Sequence, residues 1–120
     1  MTRNRTNVGV IGVGSMGQHH ARVYRGLNDV NLVGIADADP ERASEIAEEH
    51  NTEALETEAL LEAVDTVSVV VPTQYHYDVV TTCLDEGVAT FVEKPILGSL
   101  DRADDLLDQV EAADVPVQFG

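Results

Sequence analysis

Five short apolar runs, separated by turn residues and helical patterns, decide what this chain can become. Val8–Val13 (VGVIGV), Leu32–Ala36 (LVGIA), Thr66–Val71 (TVSVVV), Val88–Val92 and Val115–Phe119 each have the length and side chains of a buried strand. Residues 52–55 give a weaker strand signal. Between the runs lie helical stretches, from Gly14 to about Arg25, from Asp39 to about His50, from Glu56 to Ala63, and from about His76 to Glu86. Strands that alternate with helices pair in parallel through right-handed crossovers, and the helices must then cover both faces. The expected fold is a doubly wound parallel α/β sheet. A length of 120 residues fits one domain, with a core from about residue 7 to 119.

Local signals agree with this pattern. Asp39-Pro40-Glu41 starts a helix with an acceptor at the N-cap, a proline at the first helical position and an acid in the first turn. Gly87 suits the left-handed position that follows a helix. Ser99 is expected to cap a last helix, on which Leu100, Ala103, Leu106, Leu107, Val110 and Ala113 form one apolar stripe.

The first strand-to-helix turn reads Gly12-Val13-Gly14-Ser15-Met16-Gly17, a G-x-G-x-x-G pattern in the context the pattern requires. Gly12 permits a tight turn, Gly14 lets a pyrophosphate approach the backbone, and Gly17 lets the helix pack close. The N–H groups near Ser15 and Met16, with the positive end of the helix dipole, suit phosphate. Alone this is a glycine-rich turn. Asp37, twenty residues after Gly17 at the end of the second run, adds a carboxylate where ribose hydroxyls need an acceptor. A carboxylate there favours NAD over NADP. Arg42, on the following helix, is a basic side chain within range of a 2′-phosphate.

Two further segments follow strands, where open sheets bind ligands. The first is Val71-Pro72-Thr73-Gln74-Tyr75-His76. Pro72 also ends its strand, and His76 reads equally as a cleft residue or a helix-start residue. The second is Phe91-Val92-Glu93-Lys94-Pro95. Lys94 is the single lysine among seven basic residues, so it is not simply one of many solvating charges. A lysine whose pKa is lowered by burial or neighbouring cations manages a hydroxyl proton during hydride transfer.

Charge narrows the partners. Twenty-two acids against seven bases give a net charge of −15, which opposes nucleic acid and anionic membranes. The acids crowd the helical stretches, as in Glu41–Glu49 and Asp101–Asp114. This points to a protein adapted to a high-salt cytoplasm, where screening removes the self-repulsion. Cys83 is the single cysteine, so no internal disulfide forms. It lies among Val79, Val80 and Leu84 and reads as packing. His19 and His20 are adjacent, about 100° apart on a helix, and do not make a two-ligand metal face, so no metal is expected. Met1–Asn7 has no apolar stretch, which argues against a secretory signal and for a cytoplasmic protein.

GVIGVGSMGQHHARVY, the acid in GIADADP, VPTQYH, and EKP at Glu93-Lys94-Pro95 together resemble the glucose–fructose oxidoreductase, inositol dehydrogenase and MocA-like family. The similarity runs from about residue 7 to the end. RVY, VPTQYHYDVV and EKPI are most similar to its UDP-N-acetylglucosamine 3-dehydrogenases. The resemblance implies a Rossmann domain that binds NAD(P) for hydride transfer with a secondary alcohol of a sugar, nucleotide sugar or cyclitol. It implies that Lys94 bonds the reacting hydroxyl, that Glu93 and Pro95 shape the nicotinamide site, and that Val71, Pro72, Thr73 and His76 border the cofactor. Family members carry a second domain that walls the substrate. The sequence stops about where that domain begins, so the 120 residues are expected to bind cofactor without turnover. They are also expected to expose a partly apolar face around Pro95–Leu97 and the last strand, capable of self-association. The competing readings are a stand-alone NAD-sensing module, which would not need Lys94, and a cleft for another adenosine ligand such as a methyl donor.

Overall fold

The computed structural model describes residues 6–71, 76–92 and 117–119; side chains at 15, 76, 77, 118 and 119 are not included in that description. Its elements are β1 (Thr6–Ile11), α1 (Ser15–Gly26), β2 (Val30–Ala36), α2 (Pro40–Glu49), β3 (Glu53–Ala54), α3 (Thr57–Ala63), β4 (Thr66–Val69), α4 (His76–Asp85), β5 (Ala89–Val92) and β6 (Val117–Phe119). They form one six-stranded sheet in the order β3-β2-β1-β4-β5-β6, and every neighbouring pair is parallel. The doubly wound expectation holds. The chain builds outward from β1 to β3, then returns to place β4 on the other side of β1. The order therefore reverses between β1 and β4, and open sheets of this kind bind ligands beyond the carboxyl ends of the strands at such a reversal.

Alternation along the strands divides the interior in two. On one face Val8 and Val10 of β1 and Leu32 and Ile35 of β2 meet Ala21 of α1 and Ile46 and Ala47 of α2. On the other, Ile11, Val67, Val69 and Val92 meet Leu60 and Leu61 of α3 and Val80, Cys83 and Leu84 of α4. Leu60 is fully buried because it sits over two glycines. A Cβ on Gly9 would meet its Cδ1 at 2.7 Å, and one on Gly34 would meet it at 3.2 Å. Cys83 belongs to this second core, as the sequence suggests, and burial pushes its thiol pKa up to about 11.

Several boundaries move. The first strand spans Thr6–Ile11 rather than Val8–Val13, because Gly12 turns the backbone at φ +95°. The fourth stops at Val69 rather than Val71. Val70 still donates to the Ile11 carbonyl at 2.8 Å, but β1 has ended there and offers no further neighbour. Asp39 caps α2 as expected, accepting from the N–H groups of Glu41 and Arg42 at 3.1 and 3.3 Å. Gly87 has φ +72°, and Gly87 and Val88 donate to the carbonyls of Leu84 and Cys83, closing α4. The expected helix from Ser99, with its apolar stripe, and the face at Pro95–Leu97 lie outside the described residues.

Candidate nucleotide-binding site

The turn between β1 and α1 lies at the reversal of strand order, and each glycine in it has a separate reason. Gly12 adopts a left-handed φ, and a Cβ there would stand 2.5 Å from the carbonyl oxygen of Val70. A Cβ on Gly17 would stand 1.8 Å from the carbonyl oxygen of Gly12, so only glycine lets α1 seat against the turn. Around Gly14, by contrast, the space is open: nothing described lies within 4 Å of a Cβ placed there. Gly14 is the N-cap of α1 and supplies no side-chain cap, and the first turn carries no acid. The leading N–H groups of α1 are thus left without a side-chain acceptor at the positive end of a twelve-residue helix, an arrangement that suits an anion. Met16 is half exposed beside it, and Gly17 is buried.

The turn is tied to the end of β2. Gly12 N–H donates to the Ala36 carbonyl at 2.7 Å. Val13 N–H donates to Oδ1 of Asp37 at 3.0 Å, and Asp39 N–H donates to Oδ2 of Asp37 at 3.0 Å. Gln18 Nε2 donates to the Val13 carbonyl at 3.1 Å. Nη1 of Arg42 stands 3.9 Å from Oδ2 of Asp37; the two side chains are 50% and 10% exposed. At that distance and exposure the pair contributes little to stability, and the Arg42 head stays in reach of other anions. Asp37 is therefore brought to the glycine turn.

Val71 is half-buried, packs against the second core and borders Gly12. His76 begins α4. Pro72, Thr73, Glu93, Lys94 and Pro95 lie outside the described residues. Three contributors escaped sequence reasoning. The Val13 peptide and Gln18 gave no signal, because their roles depend on bonds to Asp37 and to the turn itself. Ser68 lies inside an apolar run, yet its hydroxyl is fully buried and bonds the Tyr24 hydroxyl from α1. His20 stacks in a tilted contact on Phe91, with ring centroids 5.8 Å apart. Among the described residues no group of three metal-ligating side chains converges.

The family model described as an oxidoreductase family with an NAD-binding Rossmann fold, which unites glucose–fructose oxidoreductase, inositol dehydrogenase and MocA-like proteins, matches residues 6–120. The chain belongs to this family. It is 36% identical over 113 residues to UDP-N-acetylglucosamine 3-dehydrogenase of Acidithiobacillus ferrooxidans, covering 93% of this chain and 36% of that enzyme. An inositol 2-dehydrogenase of Rhizobium meliloti is 38% identical over 90 residues, covering 73% of this chain and 27% of the enzyme. The solved structure of the Acidithiobacillus enzyme superimposes with a TM-score of 0.90 at 35% identity, over 97% of this chain and 38% of that one. GenD2 from gentamicin A biosynthesis, solved in complex with NAD, superimposes with a TM-score of 0.88 at 26% identity, over 98% of this chain and 34% of its own. The chain thus spans about a third of the length of these relatives, and the fold it shares with them is the dinucleotide-binding one.

Proposed function

We propose that residues 1–120 form the cofactor domain of a dehydrogenase that moves a hydride between NAD and a secondary alcohol of a sugar, nucleotide sugar or cyclitol. The observation that carries this reading is the Gly12–Gly17 turn, placed at the strand-order reversal and joined to Asp37. The residues fit a dinucleotide. The open space at Gly14 admits a pyrophosphate, and the N–H groups near Ser15 and Met16 receive it. Asp37 accepts the adenosine ribose hydroxyls, and its charge disfavours a 2′-phosphate, so NAD is preferred to NADP. Val71 borders Gly12, and the family resemblance assigns Pro72, Thr73 and His76 to the cofactor beside it. The bound cofactor supplies the hydride acceptor. Lys94 bonds the reacting hydroxyl and takes up its proton, while Glu93 and Pro95 shape its surroundings; these three roles rest on the family resemblance. The names of the relatives, which act on UDP-N-acetylglucosamine and inositol, support the alcohol class.

As part of this reading, the 120 residues are proposed to bind NAD(H) without turning over an alcohol by themselves; their match to the NAD-binding part of relatives about three times as long supports the binding. No described helix is long and apolar enough to cross a membrane, and the acid-rich composition supports a cytoplasm of high salt. Self-association through the expected face around Pro95–Leu97 and the last strand is the partner reading, checked by sedimentation. The deciding experiment is calorimetric titration in molar KCl with NADH and then NADPH, repeated on Asp37→Ala. NADH binding that exceeds NADPH binding and weakens on substitution is expected. A folded chain that binds neither nucleotide overturns the reading, and turnover of inositol or UDP-N-acetylglucosamine by the chain overturns the claim of binding alone.

A further inference from the structure

We propose that Asp37 is also a positioning residue, which holds the glycine turn in its ligand-receiving shape before any ligand arrives. This rests on the dinucleotide reading and adds a second task to the ribose contact. An ionised carboxylate offers about four lone-pair sites, two on each oxygen. Here one site on Oδ1 receives Val13 N–H and one on Oδ2 receives Asp39 N–H, each at 3.0 Å. One site remains on each oxygen, as many as the two hydroxyls of a ribose need. The acceptor capacity is divided between the turn and the ligand.

The turn depends on that share. Val13 is fully buried, its N–H is held by Asp37, and its carbonyl accepts from Gln18 Nε2 at 3.1 Å. The preceding N–H, of Gly12, is held by Ala36. Two successive peptides of the turn are therefore fastened to two successive residues at the end of β2. The N–H groups of Gly14, Ser15 and Met16 follow directly, so their direction is set by a peptide that Asp37 fixes. Asp37 also receives Asp39 N–H, and Asp39 caps α2, so the same carboxylate joins the start of α2 to the start of α1. A fixed donor array costs less to order when a phosphate binds.

A ligand without ribose hydroxyls separates the two tasks. The probe is dideoxy-NAD, which lacks both hydroxyls of the adenosine ribose, titrated beside NAD in molar KCl. Asp37→Ala is expected to weaken dideoxy-NAD by about tenfold, the scale of one hydrogen bond to a charged group, and to weaken NAD further. Asp37→Asn keeps a carbonyl oxygen for Val13 and is expected to bind dideoxy-NAD close to the level of the natural chain while losing NAD affinity. If Asp37→Ala weakens NAD but leaves dideoxy-NAD unchanged, the positioning role is overturned and the ribose contact stands. If the folded natural chain binds neither probe, the dinucleotide reading falls and the positioning role falls with it. Should the alanine variant not fold, amide exchange of the ligand-free natural chain decides. Protection of Val13 N–H is expected, and exchange at the rate of an unstructured peptide overturns the proposal.

Discussion

The carbonyl oxygen of Gly12 occupies the place where a side chain on Gly17 would begin, with 1.8 Å between them. Neither partner can yield, because one is backbone at a left-handed turn and the other is backbone inside α1. Gly17→Ala must push the helix off the turn and is expected to cost about 3 kcal/mol or more, the upper end for overpacking. Gly14 is the contrast. Its φ of −71° and ψ of −164° suit any residue, and none of the described residues crowds a side chain there. Gly14→Ala is expected to hold stability within about 0.5 kcal/mol while NADH affinity falls, because the new methyl stands where the pyrophosphate approaches. Urea unfolding and NADH titration of both variants check the pair.

A second link reaches across the sheet. Ser68 on β4 is fully buried, and its hydroxyl bonds the hydroxyl of Tyr24 on α1, forty-four residues away in sequence. Tyr24→Phe strands a buried hydroxyl and is expected to cost about 1–3 kcal/mol. Adding Ser68→Ala removes the stranded group, so the double variant is expected to be more stable than the two single losses predict. A double-mutant cycle from urea unfolding measures the coupling. Strict additivity would mean that the bond carries no net stability.

How these residues sit in the sequence explains which of them were legible. The glycine spacing, Asp37, the Asp39 cap and Gly87 are local devices, and a local device leaves its mark within a few residues. The alternation of runs likewise gives strand order its parallel character. Ser68 carries no such mark, since a serine in TVSVVV reads as one more strand residue until α1 is laid over it. Strand ends were displaced for the same reason. β4 stops where β1 stops, a fact about its neighbour rather than about Val70 or Val71. Asp37 is intermediate. Its spacing leads to the proposed ribose contact, but its bond to Val13 requires two loops to meet in space.

The Arg42 guanidinium stands 3.9 Å from Asp37 and is half exposed, so a neutral residue at 37 would leave it free to meet a phosphate. Asp37→Ser is expected to move the NADPH-to-NADH affinity ratio toward NADPH by about tenfold, as a charge-assisted bond replaces repulsion. The ratio is the right readout, because any slackening of the glycine turn affects both cofactors alike. Arg42→Ala on that background is expected to cancel the gain. A ratio that moves equally with Arg42 absent would assign the selectivity elsewhere.

Burial raises the Cys83 thiol from 9.0 to about 11 in the folded chain, with a hydrogen bond to Thr90 opposing it in part. The unfolded thiol ionises first as pH rises. The stability gained by keeping it neutral is therefore complete below pH 9 and is lost as pH climbs from 9 to about 11. Stability measured across that window is expected to fall more steeply for the natural chain than for Cys83→Ala. Iodoacetamide at pH 8 should also leave the folded thiol largely unmodified and label it in urea. Rapid labelling of the folded chain would show that the core around Val80 and Leu84 opens readily.

Charge sets the conditions under which all of this is measured. Glu41, Glu45, Glu48 and Glu49 are all exposed on α2, against the single Arg42, while the chain as a whole stands at −15. At 0.1 M salt the Debye length of about 10 Å lets such charges repel across a helix face, and at 1 M it shrinks to about 3 Å. Melting temperature is therefore expected to rise between dilute and molar KCl. NADH affinity is expected to rise with it, since the same field repels an anionic ligand. KCl is the salt to use, because sulfate strengthens apolar burial in any protein and would raise the transition regardless of charge. A transition that stays level or falls in molar KCl would mean that the acids are ordinary solvation and that the chain is not built for salt.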